Sequence, residues 1–168
     1  QSSGGVAANS INACYLKTNV GDWVATANAA QTDCQANGYC VGNATVYYGS
    51  TGGRTACVAP YGLAAAGSDD ANDCYLKTTA GQYVETAGAG QITCPAGYWC
   101  VGNVTIYKGG SVTGRSTKGG SEQCPAGYRD GTTGYSLQSQ CTMNVAGGYY
   151  VASAKESTAS GVCDTGYA

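Results

Sequence analysis

The chain is 168 residues long, has a formal net charge of −2 and contains only 11% charged residues, so nothing in its charge indicates nucleic acid or an acidic membrane surface as a partner. It has no Phe and no His, one Met and 27 Gly, which argues against a single large apolar core. No apolar run approaches the ~18 residues that a membrane span needs.

The ten cysteines are the strongest signal in the sequence, because they are even in number and regularly spaced. Such a set is typical of a disulfide framework, which requires an oxidising compartment, so we predict a secreted or cell-surface location. A zinc site is the weaker alternative, since the chain has no His and no Cys-x-x-Cys pair. We therefore expect no metal and no cofactor. The cysteines expected in disulfides are Cys14, Cys34, Cys40, Cys57, Cys74, Cys94, Cys100, Cys124, Cys141 and Cys163.

The chain divides into an arm and three predicted modules. The small, polar residues 1–13 are typical of a flexible arm, and the alternative is an arm that orders on a neighbouring subunit. The sequence opens with Gln1 rather than Met, which we interpret as a mature or excised sequence. The predicted modules span residues 14–73, 74–140 and, incomplete, 141–168.

Short runs of β-branched and aromatic residues predict strands in the first module. Residues 15–18 and 23–26 flank a turn signal at Gly21, so we predict that they pair as a small hairpin. A further strand is predicted over residues 43–48.

The second module repeats the first at a constant offset of sixty residues. Residues 75–78 are identical to residues 15–18, and seven residues are inserted within 111–123. A fixed period of this length indicates a tandem array, whose modules are individually too small to bury a firm core. The predicted fold is therefore small, disulfide-rich and mainly β, with tandem modules in an extended array and little or no helix. The matched cysteines are Cys14 with Cys74, Cys34 with Cys94, Cys40 with Cys100, and Cys57 with Cys124.

The third module matches the others only in part. Residues 148–154 match residues 21–27, and Cys163 matches Cys94. We expect the strand over residues 149–151 to lack the partners of its counterparts, which leaves an edge open to pairing with another chain.

The motif Cys94-Pro-Ala-Gly-Tyr with a following Cys100, and the run from Cys124-Pro-Ala-Gly-Tyr to Cys141, resemble the ephrin-receptor-like cysteine-rich repeats, which also occur in tandem arrays of large microbial surface proteins. The resemblance covers most of residues 14–168 and implies an extended, disulfide-laddered extracellular stalk. It implies no catalytic residue. Gln35, Val58 and Asp164 replace the Pro that follows the cysteine.

A pairing scheme follows from the incomplete third module, which retains only Cys141 and Cys163. If the array closes locally, these two pair. Connectivity cannot be deduced from sequence alone, and a Cys57–Cys74 bridge would contradict this scheme. Repetition extends the prediction to Cys14–Cys34, Cys74–Cys94, Cys40–Cys57 and Cys100–Cys124.

Two N-glycosylation sequons, at Asn43 and Asn103, occupy equivalent positions of the repeat. The expected compartment permits glycosylation, so we predict covalent glycans at both sites. The alternative is that each Asn merely opens a strand.

Other polar groups favour structure over chemistry. Residues 69–73 hold three carboxylates, but their spacing lacks the ligand pattern of a calcium loop, and we predict a solvated linker. No enzyme is predicted, because there is no His to act as a general base and the cysteines are committed to bridges. The aromatic rings at Trp23, Tyr83 and Tyr150 share one repeat position, where packing against a disulfide is favoured over sugar binding.

Two functions remain open at this point. The first is a structural subunit of a glycosylated extracellular filament or surface fibre, in which a repeat array stacks on its neighbours. The predicted contact is head to tail, from the third module of one copy to the arm and first module of the next. The alternative is an adhesin or receptor stalk that binds a ligand or host surface.

Overall fold

The structure, a computed structural model, describes residues 2–3, 10–110, 119–128, 131–143, 149–150 and 161–162. All strands are two to four residues long, and the described helices are 3₁₀ turns of three residues, Ile11–Ala13, Ala71–Asp73 and Gln138–Gln140. Frequent glycines in the left-handed region, such as Gly21 and Gly81, keep the strands short because they turn the backbone. The prediction of a small, disulfide-rich, mainly β fold with little helix is confirmed.

The described residues contain fifteen short strands. Those before residue 60 are β1 Ser2–Ser3, β2 Cys14–Lys17, β3 Asp22–Trp23, β4 Thr32–Asp33, β5 Gly38–Tyr39, β6 Thr45–Tyr47 and β7 Thr55–Ala56. The later strands are β8 Tyr75–Lys77, β9 Gln82–Tyr83, β10 Ile92–Thr93, β11 Tyr98–Trp99, β12 Thr105–Tyr107, β13 Glu122–Gln123, β14 Tyr149–Tyr150 and β15 Gly161–Val162.

The strands pair locally into one three-stranded sheet, in the order β1-β2-β6, and six two-stranded sheets. The two-stranded sheets are β3 with β4, β5 with β7, β8 with β12, β9 with β10, β11 with β13, and β14 with β15. The pairing of β14 with β15, Tyr149 opposite Val162, contradicts our expectation that the strand over 149–151 lacks a partner. Its partner, β15, is a strand that the sequence analysis did not predict.

The predicted hairpin between residues 15–18 and 23–26 is also wrong. β2 pairs with β6, with Leu16 opposite Val46, and β3 pairs with β4. The physical reason is that Gly21 turns the chain away from β2 and bonds instead to the two cysteines at 34 and 40. The strand predicted over 43–48 is present as β6.

The chain forms two compact units, residues 1–76 with 105–110 and residues 77–104 with 111–168. In the first, Val24, Val46, Tyr61, Leu76 and Ile106 are buried together with disulfide cysteines. In the second, the buried residues include Tyr83, Val84 and four cysteines. Sulfur therefore forms a large share of both cores, as expected for a chain without Phe. The module boundaries at 73 and 140 stay predictions.

The first unit includes the amino-terminal arm. β1 pairs with β2 of its own chain, with Ser2 opposite Tyr15 and Ser3 opposite Cys14. Residues 2–3 are thus placed on the chain's own first module, while residues 4–9 lie outside the described part. Across the described residues, no helix has the length and apolar character to cross a membrane.

Candidate functional site: disulfide joints and sequon turns

Four disulfides define the chemistry of the described residues, and they correct the predicted pairing. The bonded pairs are Cys34–Cys40, Cys57–Cys74, Cys94–Cys100 and Cys124–Cys141. The predicted bridges Cys14–Cys34, Cys40–Cys57, Cys74–Cys94, Cys100–Cys124 and Cys141–Cys163 are therefore wrong.

The two short disulfides form because a single glycine holds both cysteines. Gly21 accepts a hydrogen bond from the N–H of Cys34 at 2.6 Å and donates its own N–H to the carbonyl of Cys40 at 2.8 Å. Gly81 makes the same two bonds to Cys94 and Cys100, at 2.7 and 2.8 Å. The cysteine Cα atoms consequently lie 5.8 and 5.9 Å apart, within the range that a disulfide requires.

The other two disulfides are joints, since each links cysteines that we assigned to consecutive modules. Cys57 and Cys74 are separated by 17 residues, as are Cys124 and Cys141. In the first unit the intervening segment folds back on itself: Leu63 and Tyr75 exchange two backbone hydrogen bonds, of 3.1 and 2.7 Å. This pair of hydrogen bonds holds the segment beside the start of β8 and so brings Cys57 close to Cys74.

Cys14 is the exception among the cysteines that the structure describes. It forms no disulfide with any of them and is partly exposed, whereas its counterparts Cys74 and Cys141 are bonded and only 3% and 7% exposed. Cys163 lies outside the described residues. The prediction that Cys14 is bonded within the chain to Cys34 fails, because Cys34 is held by Gly21 against Cys40.

Both sequons lie in turns with two successive residues at positive φ. Gly42 and Asn43 have φ of 78° and 54°, and Gly102 and Asn103 have φ of 78° and 56°. This is the pattern of a type I′ turn, in which Asn and Gly are favoured. Both asparagine side chains are exposed. The turns precede β6 and β12, so the sequence-based placement of both sequons at strand starts agrees with the structure.

A buried threonine holds the backbone of each sequon turn through two hydrogen bonds. The Thr18 hydroxyl accepts a hydrogen bond from the N–H of Ala44 at 3.0 Å, and the backbone carbonyl of Thr18 accepts from Asn43 at 2.7 Å. Thr78 makes the corresponding bonds to Val104 and Asn103, at 3.0 and 2.6 Å. Each threonine is only 4% exposed, so the turn presents its asparagine outward on a rigid base.

The acidic residues over 69–73 cap a 3₁₀ turn. Asp70 accepts from the N–H of Asn72 at 2.7 Å, and the Asp73 carboxylate accepts from the N–H groups of Asp69 and Asp70 at 3.1 and 3.2 Å. The carboxylates thus serve the backbone as a capping box. No cluster of three or more His, Cys, Asp or Glu that could hold a metal ion occurs in the described part of the chain.

The shared aromatic position is used differently in the two units. Tyr83 is buried and packs with the Cys94–Cys100 disulfide, as predicted. Trp23 is partly exposed and lies under the Arg54 guanidinium, whose Cζ is 5.9 Å from the ring centroid, at a distance typical of a cation–π contact. Tyr150 lies in β14, and its side chain is outside the described set.

Two glutamines were missed by the sequence analysis. The Gln31 side chain accepts from the N–H of Asn19 at 2.6 Å and donates to the carbonyl of Lys17 at 3.2 Å. Gln91 makes the same pair of bonds to Thr79 and Lys77. Each glutamine side-chain amide therefore makes the two backbone hydrogen bonds that a neighbouring strand would otherwise make. The available signal was the recurrence of Gln at an offset of sixty residues.

No family model, no curated protein and no solved structure matches the chain.

Proposed function

We propose that this chain is a structural subunit of a glycosylated extracellular filament or surface fibre that assembles head to tail. The observation that carries the proposal is the position of the joint disulfides, Cys57–Cys74 and Cys124–Cys141. Each fastens the start of one predicted module to the end of the module before it. A protein built for load along its length benefits from covalent links at the points where weak modules meet.

The non-covalent contacts at the first joint support the same proposal. Leu63 pairs with Tyr75, and Tyr61 from the same segment is only 2% exposed. The beginning of β8 is thus built on residues that precede it in the chain. Modules of this kind depend on their neighbours and propagate end to end, as repeat arrays do. We also propose that the modules are related to the ephrin-receptor-like cysteine-rich repeats that their motifs resemble.

Glycans at Asn43 and Asn103 complete the proposed subunit. The two side chains are exposed in corresponding turns, where a glycosyltransferase has access to the amide. With only 11% charged residues, the surface lacks the charge that normally keeps proteins dispersed, and attached sugar would supply that hydration. The four disulfides support a secreted or cell-surface location. The proposal includes no enzymatic activity and no cofactor.

A second candidate, an adhesin or receptor stalk, is favoured by exposed aromatic pairs. Tyr15 and Tyr47 contact each other edge to face with ring centroids 5.9 Å apart, and Tyr75 and Tyr107 form the corresponding pair at 5.4 Å. Tyr47 and Tyr107 are 52% and 50% exposed. Regularly placed tyrosines of this type offer flat apolar faces with a polar edge to a ligand.

Negative-stain electron microscopy of the purified, oxidised and glycosylated chain separates the two functions. The structural subunit is expected to form filaments whose length increases with protein concentration. Monodisperse short rods at every concentration would overturn the filament proposal and favour the stalk.

A further inference from the structure

A cavity lies beside the first joint disulfide, within the first unit. Its volume is about 130 Å³, and its lining includes Tyr39, Tyr61, Lys108 and the Cys57–Cys74 bridge. Tyr61 is buried and forms part of the floor, whereas Lys108 is exposed and lies at the rim. Four segments that are distant in sequence meet here, so no local sequence pattern indicates the cavity.

Backbone pairing and the disulfide hold the walls of this cavity in place. β5 and β7 place Tyr39 directly opposite Thr55, which also lines the cavity. Residues that are directly opposite in an antiparallel pair have their side chains on the same face. Lys108 follows β12, and its N–H donates to the carbonyl of Cys74 at 2.7 Å. The cavity is therefore preformed, and binding in it requires little reorganisation of the chain.

The size and chemistry of the lining determine which ligand fits. An apolar cavity of about 150 Å³ holds one benzene ring, so this one has room for a single six-membered ring whose substituents extend past the rim. Tyr39 and Tyr61 offer apolar ring faces and polar hydroxyls, and Thr55 adds another hydroxyl. A pyranose sugar has the complementary combination of apolar C–H faces and hydroxyl groups.

The charge of the lining narrows the ligand further. Among the described residues that line the cavity, only Lys108 is charged at neutral pH, and it forms no ion pair with a described residue. A hydrogen bond between an ammonium and a carboxylate is stronger than one between neutral groups. The lining therefore favours an acidic sugar over a neutral one.

We propose that this cavity binds one hexuronic acid residue of an acidic polysaccharide. The sugar ring lies against the two tyrosines, and its carboxylate accepts a hydrogen bond from the Lys108 ammonium. This inference goes beyond the proposed function, which assigns no ligand to the subunit, and it does not depend on filament formation.

The corresponding position of the second module carries the wrong charge for such a ligand. Glu122 stands opposite Trp99 there, as Thr55 stands opposite Tyr39 in the first module. A carboxylate at this position repels the carboxylate of the sugar. We therefore assign the site to the first joint and not to the second.

Saturation-transfer difference NMR tests the site on the whole oxidised chain, because the method observes the ligand and works for single copies and filaments alike. The ligands are methyl β-glucuronide and methyl α-galacturonide, with methyl β-glucoside and methyl α-galactoside as uncharged controls. We expect saturable binding of at least one uronide, about tenfold or more tighter than its neutral counterpart, since one charge-assisted hydrogen bond contributes that much. No saturable transfer to either uronide, or equal affinity for the neutral glycosides, would overturn the proposal.

Two variants at exposed positions locate the binding. Lys108→Gln should reduce the affinity for the uronide to that for the neutral glycoside, and Thr55→Glu, which introduces the carboxylate of the second module, should do the same. Lys77→Gln is the matched control, since Lys77 is exposed and does not line the cavity. Equal losses in Lys108→Gln and Lys77→Gln would show a response to surface charge in general and would overturn the site.

The same samples separate this site from the proposed filament. Uronide binding by a chain that forms no filaments would refute the filament function and retain the site. Filaments that bind neither uronide would refute the site and leave the filament function intact.

Discussion

At the residue scale, the most informative side chains are small polar ones that hold backbone turns. Thr18 and Thr78 bond to the turn of each sequon from a buried position, and Gln31 and Gln91 fill the place of a strand. In a chain with so few large apolar residues, an unpaired buried N–H is expensive relative to the total stability. The specificity of this fold therefore depends on hydrogen bonds as much as on packing.

The first prediction concerns the buried hydroxyl of Thr18. Thr18→Val keeps the shape of the side chain but leaves the Ala44 N–H without its acceptor, so we expect the free energy of unfolding to fall by about 1–3 kcal/mol. Denaturant unfolding with the disulfides intact measures the change. Thr51→Val, at an exposed position, is the matched control and should change stability by under about 0.5 kcal/mol. Equal effects at the two sites would contradict the assigned role of Thr18.

The second prediction concerns the sugar. Thr45→Val removes the first sequon and leaves the positive-φ turn at Asn43 unchanged, so mass spectrometry should show the loss of one glycan. Thr105→Val should remove the other. Thr45→Ser retains the sequon and serves as the control, with its glycan preserved. Unmodified asparagine at both sites of the wild-type chain would refute the glycosylation proposal.

At the element scale, the units of this fold are turns closed by disulfides. Gly42 shows the constraint: its φ is positive, and a Cβ there would lie 2.7 Å from the backbone nitrogen of Val20. Gly49 has a positive φ too, but a Cβ would meet nothing within 4 Å. A side chain at Gly49 would therefore add only the strain of a positive φ, whereas one at Gly42 would add that strain and a clash with the backbone of Val20.

This pair gives the third prediction. Gly49→Ala should cost about 1–2 kcal/mol, the strain of a side chain in the left-handed region. Gly42→Ala should cost more, because the backbone at Val20 must also move. Thermal or chemical unfolding of both variants measures the difference, and equal losses of stability would show that close approach at Gly42 does not matter.

The elements also show how far the sequence predicts this structure. Strand positions such as β6, the β-rich class and the disulfide-bonded state of eight cysteines follow from local composition and spacing. The pairings do not, because strands of two or three residues carry too little pattern to select a partner. β3 pairs with residues around Thr32 that have no strand signal, and Gln31 acts through its side chain. The two short cysteine pairs depend on backbone hydrogen bonds to Gly21 and Gly81, and a sequence pattern does not show which backbone groups will bond to each other.

The fourth prediction follows from the two classes of disulfide. In the chain-entropy account, a disulfide stabilises the folded state because it restricts the unfolded chain. A bridge with a sequence separation of 17 contributes about 3 kcal/mol, and one with a separation of 6 contributes about 2 kcal/mol. Replacing Cys57 and Cys74 together by Ala should therefore destabilise the chain more than replacing Cys34 and Cys40. Unfolding of both double variants measures the order, and the reverse order would show that the short bridges dominate.

At the scale of the whole molecule, the first module differs from its successor in what precedes it. Leu63 covers the edge of β8 at Tyr75, and β1 covers the edge of β2 at Tyr15. In the first module the arm therefore lies beside β2, in the position that the segment around Leu63 occupies beside β8 in the second module. Among the described cysteines, none bonds to Cys14 in the way that Cys57 bonds to Cys74.

The last prediction tests the arm as part of the joint between subunits. Deleting residues 1–11 removes β1 and Ile11, which opens the edge of β2 and takes away the apolar surface beside Cys14. If the third module of one copy docks on the arm and first module of the next, the shortened chain should form few or no filaments by negative-stain imaging and sedimentation. The control removes seven residues, 112–118, which restores the sixty-residue offset between the modules and should leave assembly intact. If the shortened chain forms filaments as long as those of the wild-type chain, the contact between subunits lies elsewhere, because neither β1 nor Ile11 is then needed to form it.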